Sequence, residues 1–325
     1  YGHKRLGLAG LAIMAAAGLL GALARDYPTL LASRFLEGIG FILFTVSGTA
    51  LIVAAVGEPR DRNKALGLWS AYMPAGGSLA LLIAPAVIGA WGWRGLWVLL
   101  ALGAAACLAL AARFAPSPRY GGIASTRLIV ESLAQRANLV LALLFAFYVA
   151  QWASVMIWLP TFLVDEQGTS PALAALLAAF MVLANVPGNV AGGWLLAHGA
   201  RRGPLVIASS AAMAACTAGM LGSTLPDTAR YLLCLAFSAC AGVIPASIFA
   251  GIAAHAKTPQ HIATANGLVL QASQAGQFIG PIALAWLASR FGGWGAALWA
   301  MLAFAACAAA CGLAVGRIER DRMTR

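Results

Sequence analysis

The stretch Arg34-Phe-Leu-Glu-Gly-Ile-Gly40 lies inside an apolar run that extends from about Pro28 to Val56. Its arginine and its glutamate are three residues apart, so on a helix both side chains project from one face. The two glycines that follow allow a neighbouring helix to approach closely. A charged side chain inside a membrane span is costly, and as a rule it faces the bundle interior or a water-filled path. We therefore interpret Arg34 and Glu37 as residues that line a solute route through a membrane.

The composition is that of a membrane protein. The 325 residues are 62% hydrophobic and 10% charged, whereas about a quarter of the residues in a soluble domain are charged. The net charge of +11 is spread between apolar runs and forms no single patch, which argues against a nucleic-acid partner. The cysteines lie within apolar runs, the histidines lack metal-like spacing, and no phosphate loop or nucleophile motif is visible. We expect no enzyme activity, no cofactor and no metal site.

Ten runs are long and apolar enough to cross a bilayer, which takes about 20 residues as a helix. We place them at about 6–24, 28–56, 65–90, 94–114, 138–163, 171–197, 204–222, 229–253, 262–288 and 294–315. The connections between them are mostly short, so successive helices should be antiparallel neighbours. The sequence therefore predicts an all-α, polytopic membrane protein.

The longest polar connection divides the chain into two parts. Residues 115–137 contain two prolines, two glycines and several charged residues, and we assign them to a linker. The prediction is a first half at 1–114 with four helices, a second half at 138–316 with six helices, and a tail at 317–325.

The charges of the loops indicate the orientation. One side, which includes both ends of the chain, carries sixteen lysines and arginines, and the other side carries four. Loops rich in lysine and arginine face the cytoplasm. We expect a bacterial-type inner-membrane protein, in monomeric form, with both termini of this chain in the cytoplasm.

An internal repeat relates the two parts. Gly67 is followed by Trp93 after 26 residues, and Gly267 is followed by Trp294 after 27 residues, with Pro85 or Pro281 between. The offset of about 200 residues pairs helices 1–4 with helices 7–10. The simplest account is two six-helix halves, with the first two helices of the first half missing and the chain incomplete at its N-terminus. Parallel halves of this kind bind substrate at their interface, near the bilayer midplane.

Several motifs resemble those of the major facilitator superfamily, and the resemblance covers essentially the whole chain. Gly2-His-Lys-Arg5 resembles the tail of the cytoplasmic Gly-x-Leu-x-Asp-Arg-x-Gly-Arg-Arg signature, and residues 193–202 resemble its second copy, with Ala197 in place of the acid. Arg34-x-x-x-Gly38-x-Gly40 resembles the fourth-helix signature, whose arginine is linked to proton coupling or substrate charge. The resemblance implies helices three to twelve of a twelve-helix carrier, with gating roles for Gly2, Arg5, Arg201 and Arg202.

A finer resemblance covers short stretches of the second half. Trp158-Leu-Pro-Thr161, Asn185-Val-Pro-Gly-Asn189 and the Arg201-Arg202 loop are similar to cyanate and nitroimidazole-type carriers.

Arg34 and Glu37 are the first candidates for the transport chemistry. At a rise of about 1.5 Å per residue, Glu37 lies roughly 14 Å below the outer end of its helix, near the middle of a bilayer core of about 30 Å. Arg34 would attract an anionic solute or stabilise ionised Glu37, and a proton on Glu37 would release Arg34. The alternative is a structural ion pair in which Arg34 extends to the outer interface.

The other candidates are polar residues in the middle of apolar spans. Neutral amides can hold a small polar solute without the cost of a net charge, although they also serve as hydrogen bonds between helices. The resemblance implies that their helices line the cavity. The set is Tyr72, Gln151, Trp152, Asn185, Asn189, Gln271 and Gln274.

We predict a secondary active transporter that moves a small solute, with organic and inorganic anions among the candidates, by alternating access with proton coupling. Two alternatives stay open. One is a membrane sensor on a carrier fold that binds solute without transport. The other is a ten-helix drug/metabolite-type exporter, although those repeat as five plus five helices, which the offset of about 200 residues does not match.

Overall fold

Helices make up the secondary structure of the residues that a computed structural model describes, which are 2–117, 126–222, 225–256, 258–291 and 293–323. The helices are α1 (His3–Leu23), α2 (Tyr27–Ala55), α3 (Pro59–Ser70), α4 (Tyr72–Phe114), α5 (Thr126–Ala134), α6 (Arg136–Gln167), α7 (Pro171–Leu183), α8 (Asn185–Ala197), α9 (Arg202–Leu221), α10 (Asp227–Ala241), α11 (Val243–His255), α12 (Pro259–Phe291) and α13 (Ala297–Met323). A 3₁₀ turn at Trp294–Ala296 precedes α13. The all-α prediction is confirmed.

Eight helical segments within the described ranges are long and apolar enough to cross a membrane. One of them, Pro59–Phe114, has 56 residues, nearly three times the roughly 20 residues that a single span needs. Gly92 divides it, because its φ of 68° and ψ of 178° are not helical and suit a residue without a Cβ atom. The predicted runs 65–90 and 94–114 lie on either side of this glycine. α12 is not among the eight although it has 33 residues, since asparagine and glutamine side chains interrupt its apolar surface.

The ends of two predicted segments differ from the structure. The predicted linker 115–137 contains the nine-residue helix α5. The predicted tail from residue 317 continues α13 as far as Met323, because the sequence from Arg317 to Arg322 has no helix breaker and consists mostly of good helix formers.

Three spans are interrupted just before a proline. α3 ends at Ser70, α7 ends at Leu183 and α10 ends at Ala241, and in each case a new helix begins after one turn residue. Pro74, Pro187 and Pro245 lie four residues beyond those three ends. A proline ring collides with the carbonyl group four residues earlier and has no N–H to donate. Pro85, Pro160 and Pro281 lie inside helices that continue past them.

Glycines set the closest contacts between spans. Gly276 and Gly280 on α12 face the backbone of Ala146 and Ala150 on α6, with no room for a Cβ atom. Gly67 on α3 and Gly193 on α8 meet so closely that a Cβ atom on Gly193 would lie 2.7 Å from the Cα atom of Gly67. Small residues at helix crossings allow this approach in membranes.

Burial is uneven along the chain. Two thirds (67%) of the most apolar window of α6 is buried, against 6% for the window in Pro59–Phe114. The large buried side chains come mostly from α6 onward. α6 is therefore central to the bundle, whereas α4 exposes most of its apolar surface.

The start of α2 is capped by an acidic side chain. The backbone amide of Thr29 donates to Asp26 Oδ1 at 2.8 Å, and Asp26 itself has the extended conformation of an N-cap residue. This hydrogen bond lowers the pKa of Asp26, which lies between α1 and α2.

Candidate functional site

A cavity lies where the three interrupted spans meet α2, α6 and α12. The open space is about 50 Å³, and it holds only a few water molecules at roughly 10–15 Å³ each. Ordinary ligand pockets have about 300–1,000 Å³, so this space is smaller than a pocket for a drug-sized molecule. The lining consists of Phe41, Ser70, Tyr72, Met73, Pro74, Phe145, Tyr148, Val149, Trp152, Ala153, Asn185, Pro245, Phe249, Leu270, Ser273, Gln274 and Gln277.

Aromatic rings dominate this lining. Phe145 stacks on Tyr148 with ring centroids 5.8 Å apart, and Phe249 meets Phe145 edge-on at 6.0 Å. On the opposite wall, Phe41 and Tyr72 are 6.2 Å apart. Rings in such arrangements bind apolar and aromatic molecules, and their faces also attract cations.

The polar groups of the lining are neutral. Asn185 Nδ2 donates to the backbone oxygen of Ser238 at 2.9 Å and contacts Tyr148 Oη at 3.4 Å. Trp152 Nε1 donates to Ser238 Oγ at 3.0 Å. These bonds join α6, α8 and α10 at the depth of the break between α7 and α8. No lysine, arginine, aspartate or glutamate belongs to the lining, so the cavity offers hydrogen bonds and aromatic faces and no countercharge.

The structure brings four of the predicted site residues together, since Tyr72, Trp152, Asn185 and Gln274 all line the cavity. The other three lie outside that lining. Gln151 is fully buried and donates to Phe147 O of its own helix at 3.3 Å. Asn189 is also fully buried, and its Nδ2 donates to Asn185 Oδ1 at 2.7 Å, so it supports a lining residue. Gln271 is exposed, a turn away from Gln274 on α12.

Sequence reasoning missed most of the aromatic wall. Phe41, Phe145, Tyr148 and Phe249 lie within long apolar runs, where nothing separates a cavity residue from a lipid-facing one. Pro245 gave a usable signal, because a proline inside an apolar span removes a backbone hydrogen bond of its helix. The cavity lies at the level of the three interruptions, because residues beside each of them belong to its lining.

Arg34 and Glu37 form an ion pair on α2, outside the cavity lining. The Arg34 guanidinium also lies over the ring of Trp97 on α4, with 3.9 Å from its central carbon to the ring centroid. Gly21 on α1 leaves room for this stack, since a Cβ atom there would lie 2.8 Å from Arg34 Nη2. Both charged side chains are about one third exposed, at 37% and 33%. Phe41 lies one turn beyond Glu37 on the same helix face, and its side chain lines the cavity.

Of the predicted gating residues, Arg202 makes the most contacts. Its Nη1 donates to Glu319 Oε1 on α13 at 2.5 Å. Arg201 is the N-cap residue of α9 and is exposed. Gly2 precedes α1, and Arg5 is exposed on the first turn of that helix.

Contacts between α3 and the end of α8 close the bundle on the same side. Arg60 Nη2 lies 3.1 Å from His198 Nε2, and Asn63 Nδ2 donates to Leu196 O at 3.4 Å. The Gly67–Gly193 contact lies about a turn farther in. We call the end of the bundle that these contacts close, and that carries most of the arginines, the basic end. Within the described ranges, no group of three His, Cys, Asp or Glu side chains could hold a metal ion.

Comparison with known proteins agrees with this architecture. The sequence pattern of the Major Facilitator Superfamily matches residues 1–281. The E. coli fucose:proton symporter FucP superposes with a TM-score of 0.78 over 96% of this chain and 84% of its own, at 13% identity. At that identity the likeness concerns the fold alone.

Two sequence relatives are resistance proteins. The Methylenomycin A resistance protein of Streptomyces coelicolor is 35% identical over 98 residues, which is 30% of this chain and 21% of that protein. The Puromycin resistance protein pur8 of Streptomyces alboniger is 30% identical over 152 residues, which is 46% of this chain and 30% of that protein. The matched stretches thus span less than a third of either relative. Neither relative supports the finer resemblance to cyanate and nitroimidazole-type carriers, which stays a prediction.

Proposed function

This chain belongs to the Major Facilitator Superfamily, and from that premise we propose that it transports an organic solute with aromatic or apolar faces and no negative charge. The family predicted from the sequence is confirmed by the match over residues 1–281. The observation that carries the proposal is the lining of the central cavity, with six aromatic rings and no charged side chain.

The uncharged lining favours a neutral or cationic solute over the anion expected from Arg34. An anion would lose its hydration in this cavity and meet no cationic side chain, and burial of an unpaired charge is strongly unfavourable. A neutral solute would bind the rings and the amides of Asn185 and Gln274. A cation would gain from the ring faces. The names of the relatives, which refer to methylenomycin A and puromycin resistance, agree with an organic solute.

Transport would proceed by alternating access. A cavity of about 50 Å³ between α2–α4 on one side and α6–α12 on the other admits such a solute only after those groups of helices separate. The α3–α8 contacts at the basic end would open in one state and close in the other. We assign the two groups of helices to the two halves of the carrier fold, at 1–114 and 138–316, which rock about the cavity as parallel repeats do.

The pair Arg34–Glu37 would couple transport to protons. While Glu37 is ionised, it holds Arg34 against Trp97. A proton on Glu37 removes that attraction and allows the guanidinium to leave the stack. Because Phe41 lies one turn farther along α2, a change in the position of the pair reaches the cavity wall through a single helix.

The orientation follows from the distribution of positive charge. We place the basic end and both termini of this chain in the cytoplasm, with the protein as a monomer in a bacterial inner membrane, by the rule that lysine- and arginine-rich loops stay inside.

The experiment is uptake of radiolabelled puromycin into proteoliposomes that contain the full-length protein. Phe249→Leu should raise the half-saturating concentration about 2- to 10-fold, since one aromatic contact contributes roughly 0.5–1.5 kcal/mol. Phe114→Leu is the matched control, because Phe114 is 73% exposed and lies outside the cavity. Equal effects of the two variants would remove the cavity from the mechanism.

The coupling of transport to protons is tested in the same vesicles. Arg34→Ala should abolish uptake while the protein remains in the membrane, whereas Arg290→Ala, at the exposed end of α12, should not. Glu37→Gln should keep exchange of solute across the membrane but lose accumulation driven by a pH gradient. Unchanged uptake by Arg34→Ala would exclude that residue from transport. Puromycin binding without flux in the unmodified protein would favour a membrane sensor instead.

A further inference from the structure

A second cavity opens at the basic end, where α8, α9, α11 and α13 meet. Its volume is about 440 Å³, far more than that of the central cavity, and the two share no lining residue. The charged and titratable side chains that line it are Arg201, Arg202, His255, Glu319, Arg320 and Arg322. Four arginines against one glutamate leave an excess of three positive charges around one space.

The single carboxylate is already engaged. Glu319 Oε1 accepts from Arg202 Nη1 at 2.5 Å and lies 3.7 Å from His255 Nε2. The other nitrogen of the buried His255 imidazole lies 3.1 Å from Arg322 Nη1, which also donates to Ala254 O at 3.1 Å. Glu319 therefore neutralises the guanidinium of Arg202. It also orients the imidazole of His255, which in turn positions the guanidinium of Arg322.

The wall of this cavity still offers hydrogen-bond donors to a ligand. Arg201 is exposed and lines the cavity. α9 begins at Arg202, and its N-cap residue, Arg201, makes no side-chain hydrogen bond to the first turn. The free N–H groups at the start of a helix carry partial positive charge and bind anions. Arg201, Arg202 and Pro204 all line the cavity, so the start of this helix opens into it. Pro204 has no N–H, so the free backbone donors of this first turn are those of Arg202 and Gly203.

We propose that the cavity at the basic end binds a phosphate group, either of a soluble phosphate ester or of an anionic phospholipid. Guanidinium groups bind phosphate oxygens in pairs, through two parallel hydrogen bonds. Basic pockets between membrane helices on the cytoplasmic side bind the headgroups of anionic lipids. This site is distinct from the central cavity, and the proposal does not depend on which solute the central cavity takes.

The test uses the purified full-length protein in a neutral detergent. Native mass spectrometry measures retention of phosphatidylglycerol against phosphatidylcholine, which has the same phosphodiester but no net charge. Inorganic phosphate and glycerol 3-phosphate are then added as soluble competitors. We expect phosphatidylglycerol to be retained and phosphatidylcholine to be lost. Competition by the soluble phosphates would identify the phosphate group itself as the ligand, and binding of the soluble phosphates alone would assign the site to a soluble ester.

Two variants locate the site. Arg322→Gln and Arg201→Gln should each weaken binding about tenfold or more, since a hydrogen bond to a charged group contributes enough free energy for that change. Arg127→Gln is the matched control, because that side chain is 89% exposed on α5 and pairs with Glu131 away from the cavity. Arg201 is exposed, so its variant should fold even if Arg322→Gln does not.

The proposal is wrong if neither phosphatidylglycerol nor soluble phosphate binds. It is also wrong if Arg127→Gln weakens binding as much as Arg201→Gln does, since that result would indicate attraction by diffuse surface charge. Transport of puromycin by the same variants is measured separately in proteoliposomes, so loss of phosphate binding and loss of transport are distinguishable.

Discussion

Substitution of Gly193 by alanine tests whether the α3–α8 contact holds the basic end closed. The new Cβ atom would lie 2.7 Å from Gly67 Cα and 2.8 Å from Asn63 O, whereas ordinary contact begins at 3.4 Å. The two helices must therefore separate by about 0.7 Å, the difference between 3.4 Å and 2.7 Å. Both neighbours are backbone atoms, so no side chain can rotate to relieve the overlap.

The expected cost follows from the size of this overlap. Overpacking costs roughly 1–3 kcal/mol. The higher helix propensity of alanine stabilises both states and cancels in their ratio. A penalty of about 1–3 kcal/mol on the closed contact, and not on a state in which α3 and α8 have parted, shifts the ratio of the two states about 5- to 150-fold. Gly193→Ala should therefore favour opening at the basic end.

The measurement is a distance distribution between spin labels on Asp61 and Ala200, which flank the contact, in a background without the natural cysteines. Gly193→Ala should increase the population at long distance. Gly103→Ala is the control, because no heavy atom lies within 4 Å of a Cβ atom built there. Identical distributions in Gly193→Ala and the unmodified protein, or an equal shift in Gly103→Ala, would refute the proposed role of this contact.

Three further predictions concern stability. Trp152→Phe should lower the free energy of unfolding by about 1–2 kcal/mol, because it leaves the buried Ser238 hydroxyl without its donor; thermal unfolding in detergent checks this, and an unchanged melting temperature would contradict it. Gly280→Ala should lower the melting temperature, since its Cβ atom collides with the α6 backbone, whereas Gly103→Ala should not. The pKa of Asp26 is lowered in the folded state, so its capping contribution is complete above the unfolded pKa of about 3.9 and is lost as the pH falls through the folded value. Protection of the amides at the start of α2, as the ratio of intrinsic to observed exchange rates, should therefore fall below about pH 4, but not in Asp26→Asn, which keeps the acceptor and cannot be protonated.

The helices could be predicted from sequence because a bilayer demands long apolar runs, and loop charges then orient them. The interruptions inside three spans were not predicted. Prolines at 85, 160 and 281 lie in continuous helices, whereas those at 74, 187 and 245 follow a helix end. Proline chemistry is the same at all six positions, so the proline alone does not decide which span is interrupted. The hydrogen bond from Asn185 to the Ser238 carbonyl joins two of the interrupted spans.

The candidate site was predicted in part, and for a physical reason. Polar residues such as Asn185 and Gln274 are conspicuous in apolar runs, because hydrocarbon penalises them unless they have a partner. Phe145 and Phe249 are favourable both in lipid and in a cavity wall, so the sequence does not distinguish the two locations. Charge made Arg34 and Glu37 equally conspicuous, yet they lie beside the cavity and not in it.

The break between α7 and α8 also bears on how the protein enters the membrane. Each of these helices has 13 residues and is about 20 Å long, too short to cross a hydrocarbon core of about 30 Å. During synthesis, the 27 residues from Pro171 to Ala197 must therefore leave the insertion machinery as one continuous span. The hydrogen bond from Asn185, at the break, to the Ser238 carbonyl can form only later, when α10 arrives. Assembly of the cavity is in this sense a late step in biogenesis, and it depends on a segment that is synthesised some 40 residues afterwards.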